Sequence, residues 1–294
     1  VSSQDWWNEL LNDKAKPLFN RASMSSYPPG STIKMVAALA ALEEGIVTED
    51  WSINCQGGYQ YGNRFFGCTH SHGRTNMRRA IEGSCNTYFY QLILKIGIDK
   101  WAKYCKKFGL GEKTGIDISE ESSGLLPDRN YYDKVHGKNK WSDGLTLNLV
   151  IGQGEIGVTP LQLAQYVSLL ANNGKTVTPH FAKGKIDEKT HEFVEFKFDE
   201  KILELSQKNL DIVKDGMARV FTGEDGTARH LRIPGVKLAG KTGTSQNPFG
   251  ENHAVFVAFA PYEDPEIAVA VLVENVGYGG TFAGPIAMEI IDTY

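Results

Sequence analysis

The chain has 294 residues, and its 31 basic and 35 acidic side chains give a formal net charge of −4 at pH 7. That balance excludes a broad positive surface for nucleic acid or an anionic membrane, so no nucleic-acid partner is expected. With 41% hydrophobic and 22% charged residues, the composition is that of a globular protein and excludes disorder as the main state. No apolar run approaches the roughly 20 residues that cross a bilayer, and acidic residues within positions 1–20 exclude a signal peptide there. The chain as given is expected to be soluble.

The first part of the chain divides into a lead-in, a helix and an insertion. Residues 1–30 are expected to be a lead-in that ends in a stiff Tyr-Pro-Pro-Gly sequence. Ser31–Glu44 is rich in Ala, Leu, Met and Val, and Gly45 follows where a left-handed residue closes a helix. This pattern predicts a helix that is apolar nearly all round and therefore buried. Residues 46–80 combine Gly, aromatic, Cys and His residues without a period, which predicts an irregular insertion.

Helical patterns return after the insertion, whereas strands dominate the end of the chain. The helical patterns cover Met77–Gly97, Ile98–Phe108, Pro160–Asn172 and Leu205–Phe221. The β-rich runs cover Val236–Thr244, Ala254–Ala260 and Ile267–Val273. A proline-flanked loop between the last two runs predicts an antiparallel hairpin. Segregated helices and antiparallel strands indicate an α+β fold rather than an alternating parallel one.

Ser31 and Lys34 stand three residues apart at the predicted helix start, so their side chains share one face within reach of a common proton. This is the geometry of a serine nucleophile with its own base. The helix N-terminus favours an ionised nucleophile and an oxyanion nearby. Burial in so apolar a helix would lower the proton affinity of Lys34, as a lysine base requires. Both residue types are common, so the spacing alone is a weak signal.

Two further motifs accompany S-x-x-K in penicillin-interacting serine enzymes, namely S-x-N or S-D-N and then K-T-G. The candidates are Ser52–Asn54, Ser84–Asn86 and Ser245–Asn247 for the second motif, and Lys113–Gly115 and Lys241–Gly243 for the third. Lys241–Gly243 ends a β-rich run and could line an edge strand for a peptide, whereas the other K-T-G lies in a Gly-rich link. Ser84–Asn86 is favoured because it lies between helical stretches, while the first S-x-N falls in the insertion and the last comes too late.

The residues around these motifs closely resemble the active-site motifs of class B penicillin-binding proteins. The matching segments are Tyr27–Lys34, Gly83–Gln91 and Gly240–Thr244, and Ile151–Gly154 with Thr159–Ala164 also looks like that family. The resemblance runs from about residue 16 to the end of the chain, and His72-Gly73, the Ser-Cys-Asn variant and Glu274-Asn275 most resemble the penicillin-binding protein 2 group.

The resemblance implies the fold of the penicillin-interacting serine enzymes, which is α+β, with an antiparallel β-sheet flanked by helices and a larger all-helical subdomain. Residues 31–294 would form the transpeptidase domain. Two strands precede the nucleophile helix in this family, and residues 1–30 contain no strand pair of that kind.

The resemblance also implies a D,D-transpeptidase that cross-links peptidoglycan stem peptides through a serine acyl-enzyme during cell elongation and is inhibited covalently by β-lactams. Ser31 would be the nucleophile, with Lys34 as its base. Ser84 would pass a proton to the leaving amine, and Asn86 would hold Lys34 and the substrate amide. The third motif supplies the remaining roles. Lys241, Thr242 and Thr244 would bind the terminal carboxylate, Gly243 would leave room for the peptide, and backbone N–H groups of Ser31 and Thr244 would form the oxyanion hole.

The implied setting is the periplasmic side of a bacterial inner membrane in which the full-length protein is anchored. The implied partners are peptidoglycan stem peptides, β-lactam antibiotics, and a glycosyltransferase and scaffold proteins of the elongation complex. No organic cofactor is expected.

Three other functions compete with this one. A β-lactam sensor or a β-lactamase of the same fold could carry the same three motifs. A remote alternative is an NAD-binding oxidoreductase, because Gly152–Gly157 satisfies G-x-G-x-x-G after the strand-like Leu145–Ile151. That site would need an acidic residue about 20 residues further on, and Ala171–Lys185 contains none.

Cys55, Cys68, His72 and Cys85 form a possible Cys₃His set for a closed tetrahedral zinc site. The usual C-x-x-C spacing is missing, so three alternatives remain open: a Cys55–Cys68 disulfide, a buried free Cys85, and a His72 that only forms hydrogen bonds within its loop. His70 is the fallback ligand. Zinc would explain how the aperiodic insertion is held together, and the penicillin-binding protein 2 group has zinc ligands at matching positions. Such an ion would be structural and would fix the second motif through Cys85.

Overall fold

The computed structural model describes residues 4–294. Its helices are α1 (Gln4–Asn12), α2 (Arg21–Met24), α3 (Lys34–Glu43), α4 (Met77–Glu82), α5 (Asn86–Ile96), α6 (Ile98–Lys107), α7 (Arg129–His136), α8 (Gly144–Val150), α9 (Pro160–Ala171), α10 (Gln207–Thr222) and α11 (Gly279–Thr293). Its strands are β1 (Ile53–Cys55), β2 (Gly58–Tyr61), β3 (Arg64–Gly67), β4 (Gly73–Thr75), β5 (Lys175–Val177), β6 (Gly184–Ile186), β7 (Phe193–Glu195), β8 (Glu200–Ile202), β9 (Ala239–Ser245), β10 (His253–Ala260) and β11 (Ile267–Val273).

A three-stranded antiparallel sheet, in the order β11-β10-β9, separates two parts of the core. Side chains alternate along β10, so Val255 and Val257 enter the larger, mainly helical core while Phe256 and Ala258 pack on the side of α11. Strands β10 and β11 pair from Ala254↔Val273 to Ala260↔Ile267, which confirms the predicted hairpin. The α+β architecture is therefore as expected.

Helix α3 is the centre of the larger core. Every side chain from Ile33 to Ala41 is fully buried, and the helix packs against α5, α6 and α10. This burial explains the lack of a polar face in the sequence. The predicted start at Ser31 needs one correction, because Gly30–Ile33 forms a 3₁₀ turn and the α-helix begins only at Lys34.

Helix α9 starts as the sequence predicts. Pro160 occupies its first turn, where a missing N–H costs nothing. The Thr159 side chain accepts a hydrogen bond from the backbone of Gln162, whose side chain accepts one from the backbone of Thr159. This capping box fixes the end of the loop that passes beneath the candidate active site.

Residues 46–80 are more regular than expected. They contain two antiparallel ribbons, β1 with β4 and β2 with β3. Later in the chain, two further antiparallel ribbons pair β5 with β8 and β6 with β7. Each of these strands is three or four residues long. So short a strand shows too few alternations to be recognised in a sequence.

Two further predictions are wrong in detail. The helical pattern Met77–Gly97 is broken between α4 and α5, because Ser84 adopts a left-handed conformation with φ of 57°. The strand-like Leu145–Ile151 is helical, as α8. Short apolar runs are ambiguous between strand and helix, and burial on several sides hides the period. The G-x-G-x-x-G sequence therefore follows a helix, which removes the strand that an NAD site requires.

Residues 4–30 are tied to the rest of the chain at their end. Tyr27 exchanges two backbone hydrogen bonds with Val158, with N···O distances of 2.9 and 2.8 Å. No helix in residues 4–294 combines the length and the apolar character needed to cross a membrane.

Candidate active site

The candidate nucleophile lies on a tight turn at the start of α3. Gly30 has a φ of +57°, and its N–H donates to the carbonyl of Gly152 at 2.9 Å. The Thr32 hydroxyl closes the turn by donating to the carbonyl of Pro29 at 2.7 Å. Ser31 is half-buried on this turn, so the turn fixes its backbone while the residue remains partly exposed.

Lys34, one turn beyond Ser31, is fully buried. Its ammonium group donates to the Ser84 carbonyl (2.8 Å), the Ser84 hydroxyl (3.2 Å) and the Asn86 side-chain oxygen (2.6 Å). Among the described residues its hydrogen bonds go to the second motif rather than to Ser31. Burial lowers the pKa of Lys34 from 10.5 to about 8. The sequence prediction of a desolvated lysine agrees with this environment.

The second motif occupies the break between α4 and α5. Ser84 is one of the few non-glycine residues with positive φ, a conformation that costs energy and often marks a functional site. Two backbone hydrogen bonds fix the turn, from Ser84 to Ile81 (3.3 Å) and from Cys85 to Ala80 (2.9 Å). The strained backbone points both the carbonyl and the hydroxyl of Ser84 at Lys34.

The third motif lies on β9, which is an edge strand of the sheet within the described residues. Lys241 is fully buried and donates to the backbone carbonyl of Thr242 at 3.1 Å. Burial, together with the charge of Lys34, holds the pKa of Lys241 well below its usual range. The two lysines are thus close enough to repel each other electrostatically.

Backbone contacts bring the nucleophile turn against β9. A Cβ atom on Gly30 would lie 2.9 Å from the Thr244 nitrogen, and one on Gly243 would lie 2.9 Å from the Pro29 carbonyl oxygen. The two N–H groups assigned to the oxyanion hole, those of Ser31 and Thr244, therefore belong to touching segments. The structure brings together the residues named from all three motifs.

The rejected third-motif candidate lies elsewhere. Lys113–Gly115 is in a loop, where Thr114 donates to Glu121 through its backbone (2.7 Å) and its hydroxyl (2.6 Å). Lys113 is exposed. This K-T-G is part of a surface turn, as its Gly-rich surroundings predict.

Three residues near the motifs were missed by sequence reasoning. The Thr227 hydroxyl is hydrogen bonded to that of Thr242 at 2.9 Å. Buried Glu82 holds the loop that leads to Thr227 by accepting from the Asp225 N–H at 3.0 Å. Gln153 contacts β9 directly. Thr227 and Glu82 belong to no motif, whereas Gln153 lies in a quoted G-x-G sequence whose glycines alone drew attention.

The candidate metal ligands converge beside the second motif. Ligand atoms of Cys55, Cys68, His72 and Cys85 all lie within 4.8 Å of one another, and the four cysteines of the chain are free thiols. His72 Nδ1 is 3.5 Å from the Cys55 sulfur and 3.6 Å from the Cys68 sulfur. The Cys68 sulfur accepts a hydrogen bond from the Asn86 N–H at 3.1 Å, which favours the thiolate that zinc binds.

The other ring nitrogen of His72 supports the same assignment. His72 Nε2 is 2.9 Å from the carbonyl of Gly83, so a proton on Nε2 leaves Nδ1 as the free ligand atom. Tetrahedral zinc with sulfur ligands at about 2.3 Å places them roughly 3.8 Å apart, and the Cys68 and Cys85 sulfurs are 4.0 Å apart. The donor set and its spacing fit zinc.

Comparison with known proteins agrees with this geometry. Residues 6–292 match the family described as "Penicillin binding protein transpeptidase domain". The chain belongs to this family, and its fold is that of the penicillin-interacting serine enzymes. The match includes most of the segment predicted to be a lead-in.

The similar proteins include members of the penicillin-binding protein 2 group. The peptidoglycan D,D-transpeptidase MrdA of Haemophilus influenzae is 36% identical over 100% of this chain and 48% of its own length. Penicillin-binding protein 2 of Pseudomonas aeruginosa, solved with WCK 5153, is 37% identical with a TM-score of 0.87, covering 99% of this chain and 66% of that one. Penicillin-binding protein 2 of Helicobacter pylori, solved in complex with MreC, is 36% identical with a TM-score of 0.86. The match covers 99% of this chain and 54% of that one. The chain spans about half the length of the curated relatives it matches.

The close approach of Gly30 to β9 generates a prediction. In Gly30→Ala a methyl group would meet the Thr244 carbonyl oxygen at 2.7 Å and would force an alanine into the left-handed region. We expect the rate of covalent labelling by a fluorescent penicillin to fall at least about tenfold, because one donor of the oxyanion hole is displaced.

Gly45→Ala is the matched control. Gly45 has nearly the same φ, +62°, and nothing lies within 4 Å of its added Cβ. It should lose a similar backbone contribution of about 1–2 kcal/mol in unfolding free energy while labelling at the normal rate. Equal labelling rates for the two variants would contradict the prediction.

Proposed function

We propose that this chain is a D,D-transpeptidase domain that forms a serine acyl-enzyme with peptidoglycan stem peptides ending in D-Ala-D-Ala. The observation that supports this most directly is the buried Lys34 ammonium group, bonded to Ser84 and Asn86 one turn from Ser31. A lysine with a lowered pKa beside a serine at a helix start is suited to acyl transfer.

Acylation begins when the Ser31 oxygen attacks the carbonyl carbon of the D-Ala-D-Ala bond. Neutral Lys34 takes the proton from Ser31, and the N–H groups of Ser31 and Thr244 stabilise the oxyanion of the tetrahedral intermediate. The C–N bond then breaks as the nitrogen of the terminal D-Ala receives a proton through Ser84. The products are an ester on Ser31 and free D-Ala.

Cross-linking reverses the sequence with a different amine. The acceptor amine of a second stem peptide attacks the ester, its proton returns through the same groups, and the Ser31 hydroxyl is restored as a new amide forms. A β-lactam acylates Ser31 by the same first step. Its leaving nitrogen remains attached through the opened ring, so the acyl-enzyme persists.

The third motif binds the substrate backbone and its terminal carboxylate. Lys241 supplies the positive charge, and the hydroxyls of Thr242 and Thr244 donate hydrogen bonds. Strand β9 has an edge that pairs with no other strand among residues 4–294, and an extended peptide could lie along it. Gly243 keeps that path clear. Burial and, after it, the charge of Lys34 lower the pKa of Lys241, and a bound carboxylate would oppose both effects by supplying a countercharge.

We propose the setting that the resemblance to the penicillin-binding protein 2 group implies. We place this domain on the periplasmic side of a bacterial inner membrane, as part of a longer anchored protein. The Helicobacter pylori relative was solved with MreC. An MreC-like scaffold protein and a glycosyltransferase of cell elongation are the proposed partners.

We also propose that Cys55, Cys68, His72 and Cys85 hold one structural zinc ion. Three thiolates and an imidazole fill a tetrahedral shell and leave no open position for catalysis. The ion would tie the insertion to the turn that carries Ser84 and Asn86, since Cys85 lies between them in the sequence.

The nucleophile and base are tested by covalent labelling. Ser31→Ala should abolish labelling by a fluorescent penicillin with an unchanged melting temperature, because the attacking oxygen is lost. Lys34→Ala should slow labelling at least about 100-fold, as expected for the loss of a general base.

Lys113→Ala is the control in the rejected K-T-G motif and should label like the parent protein. Labelling that survives Ser31→Ala would contradict the nucleophile assignment. Release of the bound penicillin within seconds would indicate a β-lactamase, and a persistent adduct without turnover of a D-Ala-D-Ala peptide would indicate a β-lactam sensor.

The lowered pKa of Lys34 predicts a pH dependence. Only the neutral amine accepts the serine proton, so the rate of penicillin acylation should rise with pH and level off above a midpoint near pH 8. Without the effect of burial, the rate would continue to rise toward pH 10.5, the ordinary value for lysine. The check is a pH profile of the second-order acylation rate constant. If the midpoint of the pH profile lay above pH 9.5, burial would not lower the pKa of Lys34 as described.

The zinc proposal predicts about one zinc ion per chain in protein purified without added metal, measured by elemental analysis. Cys55→Ala should lower the zinc content and slow acylation by loosening the second motif. Cys105→Ala removes a buried cysteine outside the cluster and should keep the metal. Absence of zinc together with oxidised Cys55 and Cys68 would establish the disulfide instead.

A further inference from the structure

The loop after α8 touches both segments that supply the oxyanion hole. The Gly152 carbonyl accepts a hydrogen bond from the N–H of Gly30, directly before Ser31, at 2.9 Å. The contact is so close that a Cβ on Gly152 would lie 2.1 Å from the Gly30 carbonyl oxygen. The next residue, Gln153, reaches in the other direction, to β9.

The Gln153 amide binds β9 as a neighbouring strand would. Its Nε2 donates to the Thr244 carbonyl at 2.7 Å, and its Oε1 accepts from the Gln246 N–H at 3.2 Å. On a strand, the carbonyl of one residue and the N–H two residues later point to the same edge. The amide therefore satisfies one acceptor in β9 and one donor in the residue directly after it, along the edge of β9 that pairs with no other strand among residues 4–294.

The Thr244 N–H lies on this same edge, since the N–H and C=O of one residue in an antiparallel strand point the same way. Gln153 occupies the positions on the Thr244 carbonyl and Gln246 N–H, and leaves the Thr244 N–H available to a reacting carbonyl oxygen. Both hydrogen bonds of Gln153 lie on one side of the Thr244 N–H along this edge. On the opposite edge, β9 pairs with β10 in the register Thr244↔Ala254.

We propose that Gln153 is a positioning residue for the oxyanion hole, an inference that rests on the proposed acyl transfer. Through Gly152 and Gln153 one short loop sets the separation between the Ser31 N–H and the Thr244 N–H. An oxyanion hole works only when both donors lie about 2.7–3.1 Å from the developing oxyanion. Neither the nucleophile turn nor β9 can fix that separation alone, because each belongs to a different element.

The loop itself is anchored well enough to act as this spacer. The Gln153 N–H donates to the Asn148 carbonyl at the end of α8 (2.9 Å), and the loop runs on to Val158, which pairs with Tyr27. Gly152 adopts a φ of +71°, which favours glycine and allows the backbone approach to Gly30. Within residues 4–294, the side chain of Gln153 is the only part of this loop that forms hydrogen bonds with β9 and the residue after it.

The test separates formation of the oxyanion from binding. Gln153→Met keeps the length of the side chain and removes both hydrogen bonds, whereas Gln153→Glu keeps an acceptor for Gln246 and loses the donor to Thr244. Stopped-flow acylation by the chromogenic cephalosporin nitrocefin gives the dissociation constant of the initial complex and the acylation rate constant separately. We expect both variants to lower the acylation rate constant about 10- to 100-fold, below the full loss of one donor, and to change the dissociation constant less than about twofold.

A spectroscopic readout distinguishes positioning from a general loss of structure. The ester carbonyl of the acyl-enzyme should absorb at a higher infrared frequency in both variants, because hydrogen bonds from the oxyanion hole lower that frequency. Gln207→Met removes an exposed glutamine bonded to Asn173 and Asp211, and serves as the matched control with no change in rate or frequency.

An unchanged acylation rate constant in both Gln153 variants would overturn the inference, as would a slower rate with the parent carbonyl frequency. If Gln153→Met does not fold, Gln153→Glu alone decides by the same two measurements. If the parent protein itself is not acylated by nitrocefin, the proposed function fails and the inference falls with it.

Discussion

The buried positive charge of Lys34 is the constraint on which the active-site architecture depends. Moving an ammonium group out of water is costly unless hydrogen bonds replace its hydration. Helix α3 is apolar around Lys34, so the acceptors must come from another element. The turn between α4 and α5 supplies all three, from Ser84 and Asn86, and the positive φ of Ser84 is the strain that this arrangement requires. The position of the second motif is thus a consequence of burying the base.

The same reasoning explains why two lysines share one site. Lys34 has three acceptors, whereas the hydrogen bond of Lys241 within the described residues goes to the carbonyl of its own neighbour, Thr242. Burial and the charge of Lys34 both act against protonation of Lys241. A bound carboxylate would reverse that balance by restoring a countercharge. Binding of an anion and protonation of Lys241 are therefore coupled, because each favours the other.

Sequence reasoning predicted the structure correctly where local spacing or simple periodicity decides it. The position of Ser31 and Lys34 at the start of a buried helix follows from an S-x-x-K before an apolar run, and the hairpin of β10 and β11 follows from two β-rich runs around a proline-flanked loop. The sequence-based predictions were wrong where tertiary contacts determine the backbone conformation. The strand-like pattern at Leu145–Ile151 is helix α8, since a run buried on several sides has no period to read. The left-handed Ser84 could not be foreseen, because the hydrogen bonds that compensate its strain include those from Lys34, 50 residues away in the sequence. Gln153 is bonded to Thr244 and Thr227 to Thr242 across 91 and 15 residues of sequence, and only the fold brings them together.

The second motif contacts Lys34 on one side and the cysteine cluster on the other. On one side Ser84 and Asn86 must hold Lys34, and on the other Cys85 must reach the cysteine cluster. The Asn86 N–H donates to the Cys68 sulfur at 3.1 Å, and His72 is bonded to the Gly83 carbonyl, so both flanks of the turn touch the cluster. A Cβ on Gly83 would lie 2.9 Å from the His72 ring, which leaves no space for a larger residue. A structural ion at the cluster would therefore act on catalysis through rigidity, by limiting the motion of a strained turn whose carbonyl and hydroxyl must stay on Lys34. Because the cluster also contains residues from β1 and from the segment before β4, the insertion contacts the second motif from outside the active site, and an ion held there would link the two.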